Sequence, residues 1–221
     1  DYDGYQDRVT QFNPVVGWAT DRVTNADGIT NTGFETDIIY AATDRLTLSG
    51  NYSYTLTEYG EDFLISNIDD PSVPSQIWGN FTQVDTVSNV AVGDDAALFT
   101  YNLKGNQLKG IPQHKFTLRA NYELDSRFGP LWLNISHSYT GDFSASGIER
   151  AFDRVPSREV TNTSISWFSE DGDKSVRLYI NNLMNNKDYY SITTTEVTRD
   201  FQKFGWPLPE RSYGIDMRYN F

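Results

Sequence analysis

The chain contains no cysteine, which excludes disulfide bonds, thiolate catalysis and zinc–thiolate sites together. It also lacks any run near the roughly 18 consecutive apolar residues of a membrane-spanning helix. Its first residues, Asp1 to Tyr5, carry neither the basic nor the apolar region of a signal peptide. If the protein is exported, we therefore expect its N-terminal part, with the signal peptide, to lie outside this chain.

Clusters of basic residues are missing as well. The chain has 30 acidic against 18 basic residues, a net charge of −12, and no basic run. Because neutralising phosphates requires clustered lysine and arginine, this balance argues against nucleic-acid binding.

Aromatic residues, in contrast, are abundant for so polar a chain. Of 221 residues, 14 are tyrosine, 13 phenylalanine and 5 tryptophan, although only 38% of the chain is hydrophobic. Aromatic girdles combined with polar loops are typical of a transmembrane β-barrel. The low average hydropathy therefore does not exclude a membrane protein.

Two-residue alternation is the dominant pattern, and it recurs in segments of about ten residues, the length of a tilted membrane strand. In the last segment, Tyr213, Ile215, Met217, Tyr219 and Phe221 alternate with Gly214, Asp216, Arg218 and Asn220. The same division occurs clearly at 46–56 and 115–124, and more weakly at 34–42, 131–140, 161–168 and 176–182. These segments predict strands with one apolar and one polar face.

The connections between these segments alternate in length. Short turns are predicted at 43–45, 125–129 and 169–173, and long connections at 59–111, 141–156 and 183–209. A soluble β-sandwich also shows alternation, but it has no reason to sort its loops in this way. Outer-membrane barrels do, because their periplasmic turns are short and their extracellular loops long. With Phe221 at the periplasmic side, every long connection lies outside.

The predicted fold is an all-β, transmembrane antiparallel β-barrel. Seven strands are expected from about Ile29 onward, with a fragment of an earlier strand around Tyr5 to Phe12. Eight strands would close a small barrel, but the poor pattern of the first favours a piece of a larger one.

Three groups of residues resemble the barrel of TonB-dependent receptors of the Gram-negative outer membrane. The segments 31–37 (NTGFETD), 42–49 (ATDRLTLS) and 52–55 (YSYT) are similar to one of its hairpins. The segments 105–108 (GNQL) and 112–118 (PQHKFTL) are similar to the descent after a long loop. The segments 178–183 (LYINNL) and 186–190 (NKDYY) are similar to the element before the last loop. Together the resemblance covers about residues 31–221.

This resemblance implies that residues 1–221 are the C-terminal portion, about eight strands, of a probable 22-stranded barrel, with the plug domain and N-terminal strands absent from this chain. An open sheet would leave two unpaired edges in lipid, so other polypeptide must complete it. A fragment, a partial chain and a natural split subunit remain open alternatives.

The function implied by the resemblance is active import of a scarce nutrient, a ferric siderophore first, driven through the missing N-terminal part by the TonB–ExbB–ExbD complex. No cofactor and no enzymatic activity are expected. The alternatives are an oligosaccharide importer and a passive porin or small adhesive barrel. The expected location is the outer membrane, in contact with lipid and lipopolysaccharide, and Tyr219 and Phe221 resemble the terminal signal read by the barrel assembly machinery.

Two sets of side chains are candidate sites. Aromatic residues in the predicted loops either stack on a ligand or fold the loops together: Phe63, Trp78, Phe81, Phe99, Phe201, Phe204 and Trp206, with Trp78 and Trp206 the first choices. Charged residues on the predicted inner face are expected to form the network of a wet lumen packed against a plug: Glu35, Asp37, Lys115, Arg119, Glu123, Arg177, Asp216 and Arg218.

Catalytic and metal sites are weaker candidates. His114 and His137 lie on different strands without a metal-ligand neighbour, and alternation puts His137 on the opposite face from Ser136 and Ser138, which argues against a Ser-His-Asp site. Two acidic pairs in the longest loop, Asp69–Asp70 and Asp94–Asp95, are only weak Ca²⁺ candidates, since solvated loop charge explains them better and the spacing of a calcium-binding loop motif is absent.

Overall fold

A computed structural model describes residues 4–13, 18–66, 100–195 and 202–221 of the chain. The strands in chain order are β1 (Tyr5–Asn13), β2 (Trp18–Ala26), β3 (Ile29–Ala41), β4 (Leu46–Tyr59), β5 (Leu64–Ser66), β6 (Thr100–Asn102), β7 (His114–Leu124), β8 (Leu131–Thr140), β9 (Phe143–Ser144), β10 (Arg154–Val155), β11 (Arg158–Phe168), β12 (Lys174–Asn181), β13 (Tyr189–Thr194), β14 (Lys203–Pro207) and β15 (Ser212–Tyr219). A short 3-10 helix, Ala151–Asp153, precedes β10.

Seven strands form one antiparallel sheet in the order β15-β12-β11-β8-β7-β4-β3. Strands adjacent in this order follow each other along the chain once the small hairpins are set aside, so the sheet is an up-and-down meander. This confirms the seven strands predicted from about Ile29 onward. Residues 42–45, 125–130 and 169–173 connect strands at one end, here called the turn end, and residues 60–113, 141–157 and 182–211 at the other, the loop end.

Smaller strand pairs extend the loop end. β5 pairs with β6, β9 with β10 and β13 with β14. The segment predicted as an earlier barrel strand, Tyr5 to Phe12, does form β1, but β1 pairs with β2 in a hairpin separate from the seven-stranded sheet. Its alternation predicted the strand correctly and could not specify the partner.

The sheet has one apolar face. The register places Leu48 beside Ala120, Ala120 beside Ile135, and Leu178 beside Ile215, so the apolar residues of successive strands form continuous rows. Many of these side chains are exposed, among them Ile38, Leu118, Ile215 and Met217. Exposed apolar rows of this extent are what a sheet facing lipid requires.

Two aromatic belts border the apolar face. Near the loop end, Phe34 lies 5.5 Å from Tyr52, Tyr54 lies 5.2 Å from His114, and Phe116 stacks on Tyr139 at 5.1 Å between ring centroids. Near the turn end the same face carries Tyr40, Tyr122, Trp167 and Tyr219. Phe116 and Tyr122 are six residues apart on β7, about 20 Å. This height is close to the roughly 25 Å apolar band of outer-membrane barrels.

The only hydrophobic core cluster in the described part of the chain lies at the loop end and not in the sheet. It contains Val9, Ala26, Ile29, Tyr59, Phe63, Ile65, Leu103, Leu108 and Ile148, from β1 through the β8–β11 connection. Ile29 pairs with Tyr59 in the extended β3–β4 ribbon, and both have the odd-numbered parity of the polar face. The loops therefore pack on the polar side of the seven-stranded sheet. Among the described residues, no helix is long and apolar enough to cross a membrane.

Candidate functional site

The polar face is built from rows of small hydrogen-bonding side chains. Asn121 pairs with Asn134, and Asn134 with Ser164 in the next strand. One row nearer the loop end, Ser49, Arg119, Ser136 and Asn162 follow each other across four strands. A concavity of about 390 Å³ opens over these rows, between Arg119 and Arg177. Because these polar side chains are short, they leave the polar face of the sheet accessible to water.

All the predicted lumen charges lie on this face, as alternation required. Arg177 faces Asp216 across the β12–β15 pair, 3.6 Å from Nη1 to the carboxylate, and its guanidinium lies 5.2 Å from the ring of Tyr179. Arg218 donates to the side chain of Asn220 at 3.2 Å. Within the described ranges, neither Lys115 nor Arg119 makes an ion pair.

A second polar cluster, in the loops, was not found from the sequence. Asp7 is only 5% exposed, and its carboxylate accepts a 2.7 Å hydrogen bond from the hydroxyl of Tyr59 and lies 2.8 Å from Nζ of Lys109. Burial raises the pKa of the Tyr59 phenol well above its ordinary value, and the negative charge of Asp7 adds to the shift. The phenol therefore keeps its proton and donates it in the hydrogen bond to Asp7.

Among the described loop residues a second acid, Asp153, is buried, with 2% of its surface exposed. It lies 2.7 Å from Nε of Arg150 and accepts a 3.2 Å hydrogen bond from the hydroxyl of Thr194. Asp7 and Asp153 both line a cavity of about 250 Å³, together with residues of β1, β13 and 145–148. No local sequence motif marks either aspartate. Except for Arg150, which is near Asp153 in the chain, their side-chain partners are 41 to 102 positions away.

Two of the predicted ligand-contact aromatics stand on the loop hairpin. Phe204 and Trp206 alternate along β14, so they share one side of it, and both are about half exposed. The opposite side, at Gly205, is covered by the ring of Tyr189. Trp78, Phe81, Phe99 and Phe201 lie outside the described residues.

Phe63 has a packing role. It is buried in the loop core and stacks on Tyr59 with 5.7 Å between ring centroids. Of the two roles open for loop aromatics, folding the loops together is the one that the structure shows for this residue.

Both histidines lie on the apolar face, within the belt near the loop end. Nδ1 of His114 is 2.8 Å from the hydroxyl of Tyr52, and Nδ1 of His137 is 3.0 Å from Oγ1 of Thr161. The register puts Ser136 and Ser138 on the other face from His137. The described geometry therefore brings no Ser-His-Asp constellation together.

The described ranges contain no group of three or more histidine or acidic residues arranged to hold a metal ion. The weak Ca²⁺ candidates Asp69, Asp70, Asp94 and Asp95 lie outside these ranges. The predicted assembly residues Tyr219 and Phe221 lie at the turn end, their rings in an edge-on contact at 4.8 Å.

An antiparallel sheet with one belted apolar face, one charged polar face and all long loops at one end defines the class of membrane β-barrel proteins. A family model described as the TonB-dependent receptor-like β-barrel matches residues 1–183. The chain therefore belongs to the TonB-dependent receptor β-barrel family, whose members are transporters and receptors of the outer membrane, and the predicted family is confirmed.

Solved structures share the fold at low sequence identity. The ferric yersiniabactin uptake receptor FyuA from Yersinia pestis is 14% identical, with a TM-score of 0.64 over 90% of this chain and 25% of its own. The siderophore receptor PiuA from Acinetobacter baumannii is 17% identical, with a TM-score of 0.62 over 97% of this chain and 24% of its own. The copper transporter OprC is 10% identical, with a TM-score of 0.63 over 99% of this chain and 27% of its own.

The chain thus spans about a quarter of the length of these structures. A comparison with curated protein sequences gives no significant match.

Proposed function

We propose that this chain forms the C-terminal wall of an outer-membrane, TonB-dependent active transporter that imports a ferric siderophore. One observation carries the proposal: the seven-stranded sheet separates an apolar face with two aromatic belts from a polar face lined with charge. Such a wall stands between lipid and a water-filled lumen.

The free edges of the sheet support a larger assembly. β3 and β15 each have a strand partner on one side only within the described sheet. An unpaired edge in lipid leaves backbone groups without hydrogen bonds at several kcal/mol each. We infer that further strands, and a plug domain, are supplied by other polypeptide and close a barrel of about 22 strands.

The orientation follows from loop length. The turn end, with the C-terminus, faces the periplasm, where the assembly machinery reads Tyr219 and Phe221. The loop end faces outward beside lipopolysaccharide, and there Phe204 and Trp206 offer flat apolar surface on which a chelate can stack. TonB–ExbB–ExbD then acts on the plug, and the ligand descends along the polar face.

The test uses the full-length protein that contains this chain, expressed in a host without its own ferric siderophore receptors. Uptake of iron-55 is measured for ferric tricatecholate, ferric trihydroxamate and ferric citrate, with and without functional TonB. We expect saturable uptake of at least one chelate, abolished without TonB. Uptake that persists without TonB identifies a passive porin, and uptake of oligosaccharide in place of every chelate identifies a sugar importer.

A matched pair of variants tests the loop contact. Trp206→Ala is expected to raise the half-saturation concentration for the imported chelate about tenfold, since a buried aromatic anchor contributes more than 1 kcal/mol to binding. Tyr190→Ala, in the same hairpin and equally exposed, is the control and should leave it unchanged.

A further inference from the structure

The chain enters its last long connection through an asparagine turn, residues 182–186, directly after β12. Asn182 and Asn185 have left-handed backbone conformations, with φ of 50° and 53°. Asparagine adopts this conformation more readily than most residues that carry a side chain. The carbonyl oxygen of Asn182 accepts a 2.8 Å hydrogen bond from the N–H of Asn185, which closes the turn.

The side-chain amide of Asn182 joins the two ends of the β13–β14 hairpin. Its Nδ2 group donates to the carbonyl oxygen of Asn186 at 2.8 Å and to that of Pro209 at 2.9 Å. Its Oδ1 atom accepts a 2.9 Å hydrogen bond from the N–H of Asn186. Asn186 lies just before β13 and Pro209 just after β14. A single amide group therefore holds both chain ends of the hairpin.

Asparagine meets both requirements of this position, the left-handed backbone and the surrounding partners. A primary amide supplies two N–H donors and one carbonyl oxygen, which match the two acceptors and one donor around Asn182. Aspartate has the same shape but no donor, and glycine accepts the backbone conformation but has no side chain. Because Asn182 is only 4% exposed, losing its amide would leave buried backbone groups unpaired.

The asparagine turn is also fixed to the seven-stranded sheet through β11. The N–H of Asn182 donates a 2.9 Å hydrogen bond to Oδ1 of Asn162. The N–H of Leu183 donates to the carbonyl oxygen of Thr161 at 2.7 Å. The base of the hairpin is thus tied to the sheet on which it stands.

A second contact holds the hairpin against the packed loops. The hydroxyl of Thr194 donates a 3.2 Å hydrogen bond to the buried Asp153, and Ile192, on the same side of β13, is buried. Residues paired across two strands share a side, and Phe204 and Trp206 pair with odd-numbered residues of β13. Both aromatic rings therefore project from the side opposite to this contact.

We propose that Asn182 is a positioning residue: by tying both ends of the hairpin to β11, it fixes the orientation in which Trp206 meets the ligand. The inference rests on the proposed import function and adds a residue that raises affinity without touching the ligand. Trp206 is three residues from Pro209, about 10 Å along the chain, so a small rotation at the base displaces its ring. A preorganised ring binds more tightly because less conformational freedom is lost on binding.

Uptake of the imported chelate by the full-length protein gives the first test. Asn182→Gly keeps the left-handed backbone and removes the amide, so we expect the half-saturation concentration to rise severalfold, by no more than in Trp206→Ala, at an unchanged maximal rate. Asn182→Asp keeps the acceptor and loses both donors, and it should behave in the same way. Wild-type uptake by both variants would overturn the proposal.

The matched control is Asn185→Gly. Asn185 has the same backbone conformation in the same turn, but its side chain accepts a hydrogen bond from the N–H of Arg211, which lies beyond the hairpin. We expect this variant to keep the wild-type half-saturation concentration. An increase as large as that of Asn182→Gly would overturn the assignment, because it would show a general effect of disturbing the turn.

A double-mutant cycle separates positioning from a general weakening of the fold. If Asn182 acts through Trp206, Asn182→Gly should change the half-saturation concentration less than twofold in the Trp206→Ala background. The same factor in both backgrounds would overturn the proposal, since Asn182 would then act independently of Trp206. Electrophoretic mobility without heating identifies the variants that are folded.

The distance between two spin labels tests the hairpin without any ligand. The chain has no cysteine, so Tyr190→Cys and Lys104→Cys in the full-length protein, with any other cysteine replaced, label the hairpin and the packed loops. We expect a narrow distance distribution that broadens or shifts with Asn182→Gly and not with Asn185→Gly. An unchanged distribution with Asn182→Gly would overturn the proposal. A broadened distribution in a protein that imports no chelate would support the hold of Asn182 on the hairpin and refute ferric siderophore import alone.

Discussion

The hydroxyl of Tyr59 donates a 2.7 Å hydrogen bond to the carboxylate of Asp7, which is 52 positions earlier in the chain and almost fully buried. The ammonium group of Lys109 forms an ion pair with the same carboxylate and also donates a 2.6 Å hydrogen bond to the carbonyl oxygen of Arg8. Three separate segments of the loop end are thereby joined at one buried acid. The neighbouring core residues come from these segments and from β2, β3 and Ile148, so these described parts of the loop end form one packed unit.

We predict that Asp7→Asn weakens this unit by about 1–3 kcal/mol, the usual cost when a buried hydrogen-bonded charge loses its partner. The wall itself should remain intact, since local opening and global unfolding are separate events. Hydrogen exchange checks this: the amides of Leu103 and Gly105, which donate to the carbonyls of Phe63 and Tyr59, should lose protection while those of β8 do not. Equal loss in both places would contradict a separate loop unit. Asp142→Asn, in an exposed ion pair with Arg154, is the control.

The raised pKa of Tyr59 predicts sensitivity to alkali. Its folded-state pKa lies above the unfolded value of 10.0, so its contribution to stability is complete below pH 10 and is lost as pH rises toward the folded value. Above pH 10 the near-ultraviolet circular dichroism signal of the loop tyrosines should decrease as their fixed packing is lost. Tyr59→Phe has no proton to lose and should remove that part of the transition; an identical profile in the variant would show that Tyr59 does not control it.

Sequence patterns predicted the seven-stranded sheet well because every strand repeats the same alternation of one apolar and one polar side chain. β8 has the predicted limits, 131–140, and the polar parity of Lys115, Arg119 and Arg177 follows from the two-residue period. The alternation in β3 was weaker because Ile39, an apolar residue, lies on the polar face, where it is 81% exposed.

The loop cluster could not be predicted in this way. The partners of Asp7 are Tyr59 and Lys109, and no periodicity relates residues that far apart. The prediction that Tyr5 to Phe12 is an earlier strand of the same sheet was wrong for the same reason, since alternation defines a face and does not specify a neighbour.

A charge on the apolar face should be costly, and one on the polar face should not. We predict that Leu118→Arg destabilises the folded barrel by about 2–4 kcal/mol, the range for arginine near the middle of a membrane. Thr117→Arg, the neighbouring residue on the polar face of β7, should cost less than 1 kcal/mol. The folded fraction of full-length protein in a denaturant series, read from electrophoretic mobility without heating, gives both values. Equal effects would refute the assignment of the faces.

The ring of Tyr179 covers Gly214 on the polar face of the last strand pair, where a Cβ would collide with it. We predict that Gly214→Ala displaces the ring and costs about 1 kcal/mol. In the Tyr179→Ala background the same change should cost clearly less, since the two residues are coupled. Strictly additive effects in the double-mutant cycle would show that the contact does not matter.

The central claim is that this sheet is a membrane wall with its loops outside, and a single-cysteine scan tests it most directly. Residues 116–124 of β7, together with Lys104 at the loop end and Asp171 at the turn end, are replaced one at a time in the full-length protein. In intact cells, a membrane-impermeant thiol reagent should label position 104 and not 171, and in purified protein embedded in lipid, reactivity should alternate, with 117, 119, 121 and 123 labelled and 118, 120 and 122 protected. Labelling of 171 from outside would reverse the orientation, and uniform reactivity along β7 would contradict the wall.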